Sequence, residues 1–491
     1  MKNSTLKLAV ITLATMLSSS ACAQLNPGDV DKTYTPDFDS NIMAMAIQDD
    51  GKHVYAGAFK KVGGRSVCGL VRLNGDGTPD ATFNAGGTGF DNIASAMGVT
   101  ADGKFIVAGS FTKYNGEPVG QLVRINADGT LDRTFNGSNA FALEGSQFTN
   151  EVQLQHIAVM PDGRFYVAGG FNRVNGNHAP LIARFSADGE YDASFLPTDK
   201  EIHLKSSPYV DGFFMDNDGA IYLGGAFSAY GGKFSNKRMV RITPEGKLDD
   251  NFHQPGFDGF VKSISPYGAD GLLVGGDFLE VNAGARFLTC VINKDGSLRD
   301  DYNSLQYPFT QNPEDESLAV FASREAGDNV IVAGGDVSVM SNAFVYVLSK
   351  DGSKMSDAFN FGGGPNAIVT YMNVDGRNGF AYLSGFFTAF DGFNTTYFVR
   401  VAVPKEEDTA ICGAKGGGDS FVARYNGGTW SVECGERLAE LRVTDITGRE
   451  IMVKRAPQGT SARMPVTDGI YIVTAKGVSG KAYTVKKAVR N

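Results

Sequence analysis

Cysteine and histidine are scarce in this chain, five of each in 491 residues, and neither gathers into a reactive pattern. No two cysteines stand as C-x-x-C, so a zinc site of that kind has no support. His53, His156, His178, His203 and His253 are scattered, none in H-E-x-x-H or another metal spacing. There is no G-x-S-x-G nucleophile elbow and no phosphate-binding P-loop. Beyond the amino terminus no apolar run is long enough to span a bilayer, and no segment has convincing helical periodicity. Basic residues are outnumbered by acidic ones, 45 to 54, for a net charge of −9. These absences argue against nucleic acid as a partner and leave no catalytic constellation, no metal site and no cofactor to expect.

What is abundant is glycine, 62 residues or about 12.6%, against a usual share of roughly 7%. Proline is not raised with it, which points to many tight turns and an all-β protein. Charge is divided along the chain. Residues 413–491 hold 13 Lys and Arg against 7 Asp and Glu, a net +6, and residues 1–23 carry two lysines and no acid. Residues 24–412 therefore carry −17 (−9 − 6 − 2). The basic tail reads as a separate unit with its own task.

The first residues read as an export signal. Lys2 and Lys7 precede a mostly apolar stretch from Leu8 to Leu17, and Ala21-Cys22-Ala23 supplies a small-residue cleavage pattern before Gln24. Acylation of Cys22 competes with simple cleavage, and Ser19, where a bulky aliphatic residue is usual for lipidation, favours cleavage. Export would place the mature chain where disulfides can form. Cys412 and Cys434 bracket a Gly-rich stretch and are expected to pair, while Cys68 and Cys290 are expected to be buried thiols.

A Gly-x-Phe element after an apolar run is the main signal. It recurs at Gly57, Gly109, Gly169, Gly225, Gly276, Gly335 (with Val337 in place of Phe) and Gly385. A period near fifty residues suits a propeller better than a helical solenoid. Each unit repeats one grammar, clearest in the second. Ser95 to Thr100 is a strand, Ala101-Asp102-Gly103 a turn and Lys104 to Ser110 a second strand. A loop at Tyr114-Asn115-Gly116 leads to a third strand, Gln121 to Ile125, and then Asn126-Ala127-Asp128-Gly129 turns into Asp132-Arg133-Thr134-Phe135. Asp-Gly suits the turns because glycine reaches positive φ without cost. The seventh unit stops at Val403 without that final Asp-x-x-Phe, and Asp31-Lys32-Thr33-Tyr34 precedes the first unit. An amino-terminal strand completing the last blade would remove two exposed edges. The expected architecture is a seven-bladed β-propeller over residues 24–403. A different blade number is the alternative, since the fifth and sixth units are degenerate.

The Asp-x-Thr-Phe, Asp-Gly-Lys-x-x-Val-x-Gly-x-Phe and Val-Arg-Leu-Asn-x-Asp-Gly elements, fullest from Asp102 to Asp132, resemble the delta-60 β-propeller repeat family. That resemblance implies an extracellular or surface propeller and no particular ligand. The tail has its own likeness. Leu441 to Glu450, Asp468 to Val473 and Tyr483 to Lys487 resemble the C-terminal sorting domain of the type IX secretion system of Bacteroidetes, a small immunoglobulin-like β-sandwich. This implies a sorting domain at 420–491 after a linker at 404–419, with the secretion machinery as partner. The Pro-Asn-Pro opening of that family is missing, and a generic immunoglobulin-like accessory domain is the alternative.

Two recurring features invite a chemical reading. Asn74 to Asp80 and Asn126 to Asp132 look like calcium loops, yet they lack the bidentate Glu of such sites and are explained by turn geometry. Arg72, Arg124, Arg184, Arg241 and Arg400 share one repeat position and could ring an anionic ligand, but pairing with repeat acids such as Asp80 and Asp132 is the expected role. The resulting picture is a secreted or cell-surface binding module for glycan or protein. The alternative is a hydrolase or lyase acting on polysaccharide at the channel mouth, whose residues would have to converge from separate blades.

Overall fold

The computed structural model describes residues 25–48, 50–144, 151–195, 209–227, 229–230, 233–234, 238–304, 318–336, 338, 342–405, 421–426, 429–434, 438–445, 450–455, 461–463, 469–477 and 482–489. The expected signal with Ala21, Cys22 and Ala23, the greater part of the linker, and Cys412 lie outside the described residues. Cys434 ends a described strand, but its side chain does not belong to the described set.

Among the described residues from Ile42 to Ala402 there are eight antiparallel three-stranded sheets; one is a small ribbon of Phe141–Ala142, Arg173–Val174 and Asn177–His178, and the other seven repeat one layout. Their inner strands are Ile42–Ile47, Ala94–Val99, Gln153–Val159, Val210–Met215, Val261–Tyr267, Leu318–Ala326 and Val369–Asp375. Each inner strand packs against the inner strand of the next sheet, and the last packs against the first, so the sheets form a closed ring. Six of the seven middle strands, such as Phe105–Gly109, are buried from end to end, and the seventh, Phe380–Gly385, at all but its first residue, because both faces of a sheet are covered by its neighbours. Continuous apolar runs are what two covered faces require.

The repeated glycine has a steric cause. A Cβ on Gly109 would collide with the Ile93 carbonyl, and the same clash awaits at Gly57, Gly169, Gly225, Gly276, Gly334 and Gly385. In each sheet that carbonyl comes from the residue leading into the register shift of the inner strand. The sixth unit thus corrects the sequence frame by one residue: Gly334 occupies the crowded position, and Gly335 follows it. The Phe two residues after the glycine fills the space between sheets, and Phe59, Phe111, Phe171, Phe227, Phe278 and Phe387 are all fully buried. The loop expected at Tyr114-Asn115-Gly116 is the tip of a short ribbon, Lys113–Tyr114 paired with Glu117–Pro118.

After the outer strand of most units the chain returns for one isolated bridge, as in Leu73 to Pro79 and Ile125 to Leu131. In the seventh sheet the partner comes from the amino-terminal segment, where Val30 bridges Val401. Gly28 N donates to Ala402 O at 2.8 Å, Asp31 N to Arg400 O at 2.9 Å, and Ala402 N to Asp29 O at 2.9 Å. The two ends of the ring are joined by backbone pairing and by burial of Tyr34.

The tail carries two further antiparallel sheets. One joins Phe421–Asn426, Thr429–Cys434 and Ser461–Arg463; the other is four-stranded, in the order Glu450–Arg455, Leu438–Asp445, Gly469–Gly477, Ala482–Val489. Leu441, Val443, Tyr471 and Val473 are buried there. No described helix is long and apolar enough to cross a membrane.

Candidate functional site

The five arginines each meet an acid of the repeat. Arg72 Nε lies 2.9 Å from Asp80 Oδ2, Arg124 Nε 2.8 Å from Asp132, and Arg184 Nε 2.8 Å from Asp192. Arg241 Nη1 lies 2.6 Å from Asp249, and Arg400 Nε 2.9 Å from Asp31. The other oxygen of the acid closes the turn by accepting from the residue two positions on, as Thr82 N and Oγ1 donate to Asp80 Oδ1 at 2.9 and 2.7 Å. The aromatic ring of Asp-x-x-Phe lies under the guanidinium, Phe83 at 4.8 Å from Arg72 and Phe135 at 5.1 Å from Arg124. Nη1 of the same arginine donates to a turn carbonyl of the next unit: Arg72 to Ala127, Arg124 to Ala187, Arg184 to Pro244. One side chain therefore ties turn, ring and neighbouring sheet together. In the fifth and sixth units Val291 and Val347 stand in its place, and Arg299 and Ser356 replace the acid, so both members of the pair are lost together. Burial opposes ionisation of Asp80 and Asp132, but hydrogen bonds from the lysine and threonine near each, with the arginine, hold both carboxyls well below the usual range.

A second repeated feature gathers at the ring axis. Every inner strand carries a register shift at one level, which leaves a single residue unpaired: Met43, Ser95, Gln155, Asp211, Lys262, Phe321 and Thr370. A bulge kinks the strand and re-aims that side chain. The charged members form a cluster spanning several sheets. Lys262 Nζ lies 4.0 Å from Asp211 and 3.6 Å from Asp277, with the rings of Phe260 and Phe321 each 5.5 Å away. Gln155 Nε2 donates to Asp211 Oδ1 at 3.4 Å, and the Arg238 guanidinium sits 4.7 Å from the centre of Phe260. Arg238 Nε is buried and has no hydrogen-bond partner among the described residues. Burial, with Asp277 nearby, pushes the Asp211 carboxyl up against the pull of Lys262 and Gln155. Burial also lowers the Arg238 guanidinium.

One step further along the strands, His156 and Tyr371 reach the interior. His156 Nε2 is 2.8 Å from the Val210 carbonyl, its ring stacks on Phe213 at 5.4 Å, and burial brings its pKa down to about 4. Burial raises Tyr371 to about 12. Nothing in the sequence marked these residues, because a bulge has no fixed residue type and the inner strands share no motif.

His53 lies in the core between Tyr34 (2.9 Å) and Tyr382 (3.4 Å), and His178 and His253 face the surface ribbon and turn. His203 lies outside the described residues. Cys290 is buried as expected, but Cys68 is only half-buried, because it precedes its strand in a connecting segment. The turn acids of the calcium-like loops are occupied by their own chain, Asp76 Oδ1 by Thr78 and Asp128 Oδ1 by Thr130. A cleft of about 380 Å³ opens at the outer rim, lined by Asp249, Phe252, His253 and Asn282, away from the axial cluster.

Four stretches of the chain, residues 48–83, 100–135, 161–195 and 217–252, match a family described as a domain of unknown function (DUF5122) β-propeller. They fall on the first four sheets and end at the repeat's final aromatic, Phe83, Phe135, Phe195 and Phe252. The fold is a β-propeller. No curated protein matches the chain. Among solved structures it is similar to PorZ, an essential bacterial surface component of the type-IX secretion system of Porphyromonas gingivalis, with 13% identity over 96% of this chain and a TM-score of 0.41. The chain spans 60% of the PorZ chain. It is similar also to the extracellular domain of the putative hybrid two component system BT4673 from B. thetaiotaomicron, at 9% identity over 91% of this chain and 69% of that one, TM-score 0.31. YCF48 from Cyanidioschyzon merolae shows 13% identity over 75% of this chain and 97% of its own, TM-score 0.40.

Proposed function

We propose that residues 24–403 form one seven-bladed propeller that binds a glycan or protein ligand, without catalysis, at the axial end where the bulges gather. One contrast carries this reading. Positions that serve the scaffold repeat their chemistry from unit to unit, as the crowded glycine, the buried Phe and the Arg–Asp pair do. The bulge position repeats its geometry in every sheet yet carries Met, Ser, Gln, Asp, Lys, Phe and Thr in turn. A ring of equivalent mounts with unlike side chains is the arrangement recognition needs. An array of glycans and proteins, probed with the full chain and with Lys262→Ala and Phe321→Ala, tests it. Loss of the strongest signal in both variants is expected, and binding unchanged in both would refute it.

A second reading has one observation in its favour. Asp211, raised by burial, and Asp277 flank Lys262, and polysaccharide hydrolases use a pair of neighbouring carboxyls in unlike environments. Release of reducing ends from an array-positive polysaccharide, abolished in Asp211→Asn, would establish that alternative.

The tail, residues 420–491, is proposed to be a type IX sorting domain that brings the chain to the outer surface, with 404–419 as linker. Its Leu441 to Glu450 and Asp468 to Val473 sequence motifs and its net +6 beside a −17 body support this. Fractionation of cells expressing the chain cut after Val403 tests it: folded propeller held in the periplasm is expected, and surface delivery of the truncated chain would contradict it.

A further inference from the structure

The cleft at the outer rim, about 380 Å³, lies between the last turn of the fourth unit and the ribbon tip of the fifth sheet at Asn282. Its volume falls in the range of small-molecule sites, roughly 300–1,000 Å³. It opens where the repeat breaks one of its own hydrogen-bonding rules. Four ribbon tips carry Asn115, Asn175, Asn282 or Asp391, each with positive φ. In all four, Oδ1 accepts a backbone N–H from the segment leading into the sheet. The donors are Gly89 at 2.8 Å, Ala140 at 2.9 Å, Gly256 at 2.8 Å and Gly363 at 2.7 Å.

The amide nitrogen is used differently. Asn115 Nδ2 donates to Asn84 Oδ1 at 2.7 Å, and Asn175 Nδ2 to Asn139 Oδ1 at 2.9 Å. The fifth unit has no such asparagine, since only His253, Gln254 and Pro255 separate Phe252 from Gly256. Asn282 lines the cleft, and its Nδ2 has no acceptor among the described residues. The seventh unit shows that the scaffold does not need this nitrogen, because Asp391 holds the Gly363 N–H with a carboxylate.

His253 supplies the complementary group. Its backbone N–H and its ring Nδ1 both meet the Asp295 carbonyl, at 2.7 and 3.2 Å. A carbonyl can only accept, so Nδ1 carries the proton and Nε2 of the neutral ring keeps a lone pair. The ring is 71% exposed and borders the same cleft. A planar secondary amide answers both groups: its carbonyl accepts from Asn282 and its N–H donates to His253. Asp250 in the wall and Asp295 beside His253, on a body of −17, disfavour an anion.

We propose that this rim cleft binds a neutral acetamido sugar, an N-acetylhexosamine, through its amide. The site is separate from the axial one and does not rest on it. The lining residues lie outside the strands, so no strand edge meets the flanking N–H and C=O groups that a peptide would bring. An acetamido group instead ends in a methyl, which Leu248 and Phe252 can cover, and Gln254 and Asp250 suit ring hydroxyls.

Saturation-transfer NMR titration of the full chain with N-acetylglucosamine, glucose and N-acetylalanine methylamide tests the proposal, with thermal unfolding as the check on each variant. N-acetylglucosamine should bind, and glucose at least tenfold more weakly, since it has no amide to pair with both groups. Asn282→Asp keeps the oxygen that the Gly256 N–H requires, as Asp391 does, and removes only the donor. His253→Phe keeps a ring and removes the acceptor. Each should weaken N-acetylglucosamine at least tenfold at an unchanged unfolding temperature. Binding untouched by both variants would overturn the proposal, and if it fell in Lys262→Ala alone the ligand would belong to the axis. Equal binding of glucose would overturn the acetamido group, and tighter binding of the methylamide would overturn the sugar class. If N-acetylglucosamine did not bind, the rim site would be wrong, and the axial reading would be decided separately by the array.

Discussion

The join between the two ends of the ring can be broken by one substitution, Asp31→Ala. Asp31 is 4% exposed and Arg400 10%, and the Arg400 guanidinium lies between the rings of Tyr34 at 3.8 Å and Phe380 at 4.4 Å. Removing the carboxylate leaves a buried cation clamped between two aromatics with no escape to water. Stranding one member of a buried pair costs about 3–5 kcal/mol. The Asp31 Oδ1 bonds to Thr33 N and Oγ1, 2.9 and 2.6 Å, are lost as well, which frees the segment that shares three backbone bonds with the seventh sheet, donating two and accepting one. A loss of about 4 kcal/mol is expected in urea unfolding followed by far-ultraviolet circular dichroism. Replacing both partners, Asp31→Ala with Arg400→Met, should recover most of it, because no charge is then left unpaired. The pH dependence has a definite sign. Burial works against the Asp31 charge, but hydrogen bonds from Thr33 and Arg400 outweigh it and hold the carboxyl below its ordinary value. Its contribution is therefore complete above the unfolded value near 3.9 and disappears as pH falls through the lower folded value. Asp31→Ala within about 0.5 kcal/mol of the native chain at pH 7 would refute the reasoning.

Three other outcomes follow from the same geometry. Gly109→Ala drives a methyl into the Ile93 carbonyl and should cost about 1–3 kcal/mol, read from the urea midpoint, although most surface Gly→Ala changes are mild. Arg124→Ala should destabilise by about 2–4 kcal/mol, since Asp132 and the Ala187 carbonyl lose a donor inside a packed seam, and should leave affinity for an array ligand within about twofold. His53 is kept neutral by burial, with its pKa brought down to about 4, so its contribution to stability is complete above about 6.5 and is lost as pH falls toward 4. The stability of His53→Gln should accordingly change less over that interval, measured by unfolding at a series of pH values.

The turns and the scaffold were readable because their residue types are forced. A two-residue turn needs positive φ, and Gly103 and Gly129 adopt 78° and 87°. The repeated glycine after the apolar run marks a carbonyl that leaves no space for a side chain. Asp31-Lys32-Thr33-Tyr34 could be matched to the units' ending since the Asp side chain closes its own turn wherever it stands. The axial cluster was not readable. Asp211, Lys262 and Phe321 are more than fifty residues apart in sequence, and only ring closure brings their strands side by side. The bulge that presents them is a property of the backbone pairing and leaves no residue signature. The sixth unit misled the frame because Gly334-Gly335 offers two candidate glycines and only the register distinguishes them.

Hydrogen–deuterium exchange of the chain with and without its strongest array ligand tests the axial site most directly. Protection should concentrate at the starts of the inner strands, around Gln155, Asp211, Lys262 and Phe321, with the outer strands carrying Arg72, Arg124 and Arg184 unchanged. Protection confined to the outer rim near His253, or to the tail strands Leu438–Asp445 and Gly469–Gly477, with none at the bulges, would contradict it.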